Sequence, residues 1–204
     1  MRIFGMLDSG NCYKPRLLLA LTGQDFVHVE QSTRDGSTRA PGFLARNPIG
    51  QCPLLELDDG RFLAESGAIL HYLAAGTAYL PTERYAHAAM LQWMFFEQNQ
   101  HEPAIAVRRA ISVYPERQAV ATPERMGQLM ERGLAVLAVM ERVLAQQDFI
   151  AGPVPTIADI ALYPYTKDAP EGGFDLGAFH HVMQWLGRIE SLPGYRPKDW
   201  TPAA

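Results

Sequence analysis

Short apolar runs broken by turn residues fill the first 75 positions, and long helical periods fill the rest. Arg2-Ile3-Phe4 fits a short buried strand. From Asn11 to Leu21 the face carrying Leu17, Leu18, Leu19 and Leu21 is dense, and Gly23 supplies a helix terminator. Phe26-Val27-His28-Val29-Glu30 alternates apolar and polar residues and predicts a strand. Leu54-Leu55-Glu56-Leu57 and Arg61-Phe62-Leu63 flank Asp58-Asp59-Gly60, a hairpin with Asp-Gly turn chemistry. A helical run through Ala68, Ile69, Leu70, Tyr72 and Leu73 opens at Ser66 and closes by Gly76. The order β-α-β, hairpin, α calls for a mixed sheet with helices packed on it. Beyond Thr82 strand patterns vanish. Helices are expected over about 83–113, 123–146, 156–166 and 179–191, punctuated by Pro115, Pro123, Gly152-Pro153 and Gly172-Gly173. Gly76 to Arg84 reads as a linker between domains at 1–76 and 84–204.

Length agrees with two small cores, since 204 residues at roughly 150 per domain give about 1.4. A composition 48% hydrophobic and 20% charged excludes extended disorder. Eighteen basic against 22 acidic residues leave a net charge of −4, without the basic stripe that nucleic acid needs. No apolar run is long enough to span a membrane. Met1-Arg2-Ile3-Phe4-Gly5 turns polar too soon for a signal peptide, so a soluble, cytoplasmic protein is expected. Cys12 and Cys52 are too few for a disulfide scaffold or a cysteine zinc site, and His180-His181 lacks a second ligand pair; no metal is expected.

Three short stretches carry candidate chemistry. In Gln51-Cys52-Pro53-Leu54-Leu55 a proline enters an apolar strand. It is either a trans proline at the strand start or a cis Cys52–Pro53 bond that turns the backbone of residue 52 toward an extended peptide. In Glu65-Ser66-Gly67, Ser66 is a candidate N-cap at a helix end that suits a carboxylate, with Glu65 beside it to accept from an ammonium group. An ordinary cap next to a solvated glutamate fits the same residues. In Asp8-Ser9-Gly10-Asn11-Cys12-Tyr13-Lys14, hydroxyl, amide and thiol lie near a helix start, and Pro15 at the third place after Cys12 excludes C-x-x-C. Capping suits Ser9 and Asn11, burial suits Cys12, and solvent suits Lys14 equally well. Thr156-Ile157-Ala158-Asp159 is a capping box, read as structural.

Together these motifs resemble the cytosolic glutathione S-transferase family. The resemblance spans Ser9 to Lys14, Asn47-Pro48-Ile49-Gly50-Gln51-Cys52-Pro53 and Glu65 to Ile69. It continues through Trp93 to Gln98, the Thr156–Asp159 box and Glu171-Gly172-Gly173-Phe174-Asp175-Leu176. It implies an α/β thioredoxin-like N-terminal domain with a cis proline, an all-α helical bundle domain, and a homodimer. It also implies a glutathione site where the domains meet. Carried across, the γ-glutamyl site falls on Glu65 and Ser66, the cysteinyl backbone contact on Cys52 before Pro53, and the glycyl carboxylate on Arg39. Two departures stand out: Cys52 replaces the usual valine, and Phe4 offers no hydroxyl where tyrosine-type members carry one. Thiol activation therefore passes to Ser9, then Asn11, then Cys12.

The size of the task is modest. A free thiol has a pKa of about 8.5, and lowering it two units takes about 2.7 kcal/mol. One hydrogen bond to the charged sulfur supplies roughly 1.5–3 kcal/mol, and a helix N-terminus about 0.3–1. The expected reaction is attack of the glutathione thiolate on a small hydrophobic electrophile. Gln98, His101, Arg108, Arg109, Tyr163 and Tyr165 are candidates to line the electrophile pocket. Thiol–disulfide transfer through Cys12, or a non-catalytic binding module, are the alternatives.

Overall fold

The computed structural model describes residues 1–202. The chain divides into two compact units, one from Met1 to Leu80 joined by the segment from Leu192, the other from Pro81 to Ser191.

The first unit is a mixed four-stranded sheet with helices. Strands β1 (Arg2–Gly5), β2 (Val27–Glu30), β3 (Leu54–Glu56) and β4 (Phe62–Ala64) lie in the order β2-β1-β3-β4. β1 runs parallel to β2, with Phe4 opposite Val29, and antiparallel to β3, with Phe4 opposite Leu54. Parallel neighbours need a crossover, and α1 (Gly10–Thr22) supplies it. Gly23 ends α1 in the left-handed conformation, as its position after the leucine run predicts. α2 (Pro41–Leu44) and α3 (Ser66–Leu73) complete the unit, which has the mixed sheet expected from the element order and the thioredoxin-like arrangement that the resemblance implies. Ile3, Leu17, Leu18, Leu54, Leu55 and Ile69 are fully buried and form its centre. The segment from Leu192, assigned from sequence to the helical half, packs on this unit instead. Arg16 Nη1 donates to the Trp200 carbonyl at 3.0 Å, and Phe26 meets the Trp200 ring edge-on.

The second unit is helical: α4 (Arg84–Phe96), α5 (Val107–Val113), α6 (Pro123–Leu144), α7 (Ile157–Lys167) and α8 (His180–Glu190). The helix expected unbroken over 83–113 is divided. Residues Glu97–Ala106 widen into a π-helical stretch containing Pro103, which has no N–H to donate to the preceding turn. The Thr156 box is complete: its Oγ1 accepts from Ala158 N, and Asp159 Oδ2 accepts from Thr156 N at 2.9 Å. Asp159 Oδ1 also accepts from Ile150 N and from Trp185 Nε1, tying α7 to α8. Gly133 of α6 lets Phe174 approach, since a Cβ there would lie 2.4 Å from its ring. Among the described residues no helix is long and apolar enough to cross a membrane.

Candidate active site

The first turns of α1 and α3 meet. Ser9 is the N-cap of α1, with extended backbone and Oγ accepting from Cys12 N at 3.4 Å. Asn11 Oδ1 accepts from Ser66 Oγ, 55 residues away in sequence, at 3.4 Å. It also accepts from Lys14 Nζ at 2.6 Å. Lys14 is fully buried rather than solvated, which the sequence reading missed. A buried ammonium persists only with polar partners, and the Asn11 oxygen is one.

Ser66 corrects a local expectation. It is the first helical residue of α3, and Glu65 is the cap. The reason is tertiary: the Ser66 hydroxyl is directed at Asn11 instead of at its own helix. Glu65 has φ 70° and ψ 117°, a region that non-glycine residues seldom occupy. No side chain caps the helix end it leads into, so the first N–H groups of α3 have no side-chain acceptor.

Cys12 has no solvent exposure. Its Sγ sits against Gly5, where an added Cβ would be 2.6 Å away, so only glycine fits. Burial pushes the Cys12 thiol up. Hydrogen bonds from the Cys52 and Ser9 side chains and the Met6 backbone, with the Arg16 charge, more than offset this and hold it below the usual thiol range. Arg16, also fully buried and unremarked from sequence, donates to the carbonyls of Cys12 and Leu7. Cys52 shows the opposite behaviour: its hydrogen bond to Cys12, then burial, push its thiol far up. The Cys52–Pro53 peptide is cis, the second of the two readings left open by sequence. Arg39 stands apart, exposed, with Nη1 donating to the Ile49 carbonyl at 3.1 Å.

These contacts join Ser9, Asn11, Cys12, Cys52 and Ser66, with Glu65 and Pro53 next to them in the chain. Family models match both units: the glutathione S-transferase N-terminal domain over residues 1–75 and the glutathione S-transferase C-terminal domain over residues 85–193. The chain belongs to the glutathione S-transferase family. A crystal structure of a glutathione S-transferase from Pseudomonas fluorescens is 43% identical, covers 97% of this chain and 98% of its own, and superposes with a TM-score of 0.93. Glutathione S-transferase 3 of Zea mays is 31% identical over 96% of this chain and 91% of its own length. Disulfide-bond oxidoreductase YfcG of Escherichia coli is 28% identical over 90% of this chain and 87% of its own.

Within this family fold, several side chains proposed for the electrophile pocket are engaged structurally. His101 is fully buried and bonds through Nε2 to Thr166 Oγ1 at 2.8 Å. The Thr166 hydroxyl also lies 2.8 Å from the Leu162 carbonyl. Arg109 pairs with Asp168 and Glu171, and Arg108 donates to the carbonyls of Gly172 and Met126. Tyr163 donates to Glu190 Oε1 at 3.0 Å. Gln98 donates to Glu97 and Glu102. Tyr165 is buried.

Proposed function

We propose that this protein is a glutathione transferase that holds glutathione's sulfur as a thiolate and directs it at a small hydrophobic electrophile. The contact between Ser66 and Asn11 carries the reading, because it sets the open end of α3 beside the loop that starts α1. Two helix N-termini then serve the two anionic parts of one ligand, carboxylate and thiolate. Glu65 takes the ammonium of the γ-glutamyl group, the first N–H groups of α3 take its carboxylate, and the Cys52 backbone before Pro53 pairs with the cysteinyl unit. Arg39 receives the glycyl carboxylate.

Ser9 is the activating hydroxyl in this reading, and Asn11 orients the first turn around it. Its rotor has a single proton, which serves either the Cys12 sulfur or the ligand's sulfur at one time. The buried Cys12 sulfur supports Ser9 over Cys12 as the group that meets the ligand. The thiolate forms a carbon–sulfur bond as the electrophile's leaving group departs or its ring opens. The working form is taken to be a cytoplasmic homodimer, as the family resemblance implies.

The test is retention on immobilised glutathione combined with ultraviolet titration of the bound thiolate. Binding with thiolate absorbance near neutral pH supports the reading, and its absence at millimolar glutathione favours a non-catalytic module. Thiol–disulfide transfer is the second reading, favoured by the depressed Cys12 thiol. It requires a glutathione adduct on Cys12 after exposure to glutathione disulfide.

A further inference from the structure

The chain has two cysteines, 40 positions apart in sequence, and the fold brings them to the same end of β1. Cys12 Sγ rests on Gly5. The carbonyl of Gly5 accepts from Gln31 N at 3.2 Å, and the carbonyl of Gln31 accepts from Cys52 Sγ at 3.5 Å. The β1–β3 pairing ends at Phe4 and Leu54, two residues from Met6 and from Cys52, and the Met6 backbone bonds to Cys12. The one Cys52 S–H proton is shared between the Gln31 carbonyl and the Cys12 sulfur. They differ in access: Cys12 has no exposed surface, whereas Cys52 is only half-buried.

We propose that Cys12 and Cys52 form a reversible intramolecular disulfide, with Cys52 as the sulfur that meets a small hydroperoxide and Cys12 as the sulfur that resolves it. In the first step the Cys52 sulfur attacks the outer peroxide oxygen while its proton passes to the inner oxygen. A sulfur–oxygen bond forms, the oxygen–oxygen bond breaks, and an alcohol or water leaves with that proton. Cys52 is then a sulfenic acid. In the second step the Cys12 sulfur attacks that sulfur, a sulfur–sulfur bond forms, and the sulfenic oxygen leaves as water with the Cys12 proton. Two thiols lose two electrons, and the peroxide becomes an alcohol, or a second water, plus water. A dithiol reductant returns both thiols by exchange. Cys52 is also the residue whose backbone is assigned to the cysteinyl unit, so the oxidised pair bears directly on that site. The disulfide itself rests only on the two sulfurs and stands whether or not the transferase reading does.

The experiment uses the full-length native protein with hydrogen peroxide and no glutathione. After alkylation, intact mass and peptide mapping count the thiols. The expected result is a chain that takes up no alkylating agent, yields a Cys12–Cys52 linked peptide, and regains two alkylated thiols after dithiothreitol. Linking in the native chain should be at least about tenfold faster than in the same chain unfolded in urea, because the fold holds the sulfurs together. In Cys12→Ser, a cyclic 1,3-dione should trap the sulfenic acid on Cys52. Two free thiols after peroxide, links only between chains, or equal rates folded and unfolded would overturn the pair. An untrapped Cys52 in a folded Cys12→Ser would overturn the assigned order of attack.

Discussion

Ser66 Oγ lies 3.4 Å from Asn11 Oδ1, joining the first turns of α3 and α1. Each helix start carries partial positive charge, worth about 0.3–1 kcal/mol to a nearby anion. Bringing two such ends together suits a ligand with two negative groups at a fixed separation. A buried cation, Lys14, holds the shared amide oxygen in place.

Replacing the proposed activating hydroxyl by Ser9→Ala removes a hydrogen bond to charged sulfur worth about 1.5–3 kcal/mol. The pKa of bound glutathione should then rise by about one to two units, and kcat/KM should fall roughly 10–100-fold. Thiolate absorbance against pH reads the first quantity and steady-state kinetics the second. An unchanged titration would assign the activation to another group.

Lys14→Met keeps the buried stem and deletes the ammonium that fixes Asn11. Glutathione affinity is expected to weaken by about 0.5–1.5 kcal/mol, the net worth of one hydrogen bond, which isothermal calorimetry resolves. Unaltered affinity would show that Asn11 needs no tether.

Glu65 occupies a positive φ that costs a non-glycine residue about 1–3 kcal/mol. Glu65→Gly should therefore raise stability in urea unfolding by about 1 kcal/mol while weakening glutathione binding. Loss of stability, or binding as tight as in the parent, would contradict the trade between backbone ease and ammonium recognition.

Glu141 of α6 accepts from the backbone N–H groups of His181 and Val182, closing the start of α8. Partial burial pushes its carboxyl up, but those two bonds and the His181 side chain hold it below the usual range. Its stabilisation is therefore complete above the unfolded carboxylate pKa, about 4.3, and is lost as pH falls through the lower folded value. Glu141→Gln should be less stable than the parent by about 1 kcal/mol at pH 7, with the gap closing in acid. Urea midpoints at pH 7 and pH 3 measure it, and a gap that widens in acid would reverse the sign.

Within the capping box, Thr156→Ala should cost about 1 kcal/mol, a typical cap loss. Asp159→Ala should cost more, at about 1–3 kcal/mol for each stranded group, because it strands buried donors from Thr156, Ile150 and Trp185 together. Equal losses would mean that Asp159 does no more than cap α7.

Features written by neighbours in sequence were legible beforehand. Gly23 ends α1, Asp59-Gly60 turns the hairpin, and Thr156 to Asp159 start α7, because each follows from residues within about one turn. The helix through Glu97–Ala106 was legible as helix but not as π, since Pro103 leaves the choice between a break and a widened turn to packing. The candidate site divided along the same line. Ser9, Glu65 and Ser66 were named from helix-start chemistry, whereas Ser66 as a bridge to Asn11 needed two helices in contact.

Sequence alone determined most of the strand and helix segments, the mixed α/β and helical halves, and the residue types gathered at the helix starts. These depend on local spacing, propensity and caps, whose range is a few residues. Tertiary structure decided that Lys14 and Arg16 are buried beside Asn11 and Cys12, that His101 faces Thr166, and that Cys12 meets Cys52. Burial and hydrogen bonding between distant residues depend on which surfaces pack together, and the local pattern leaves that choice open.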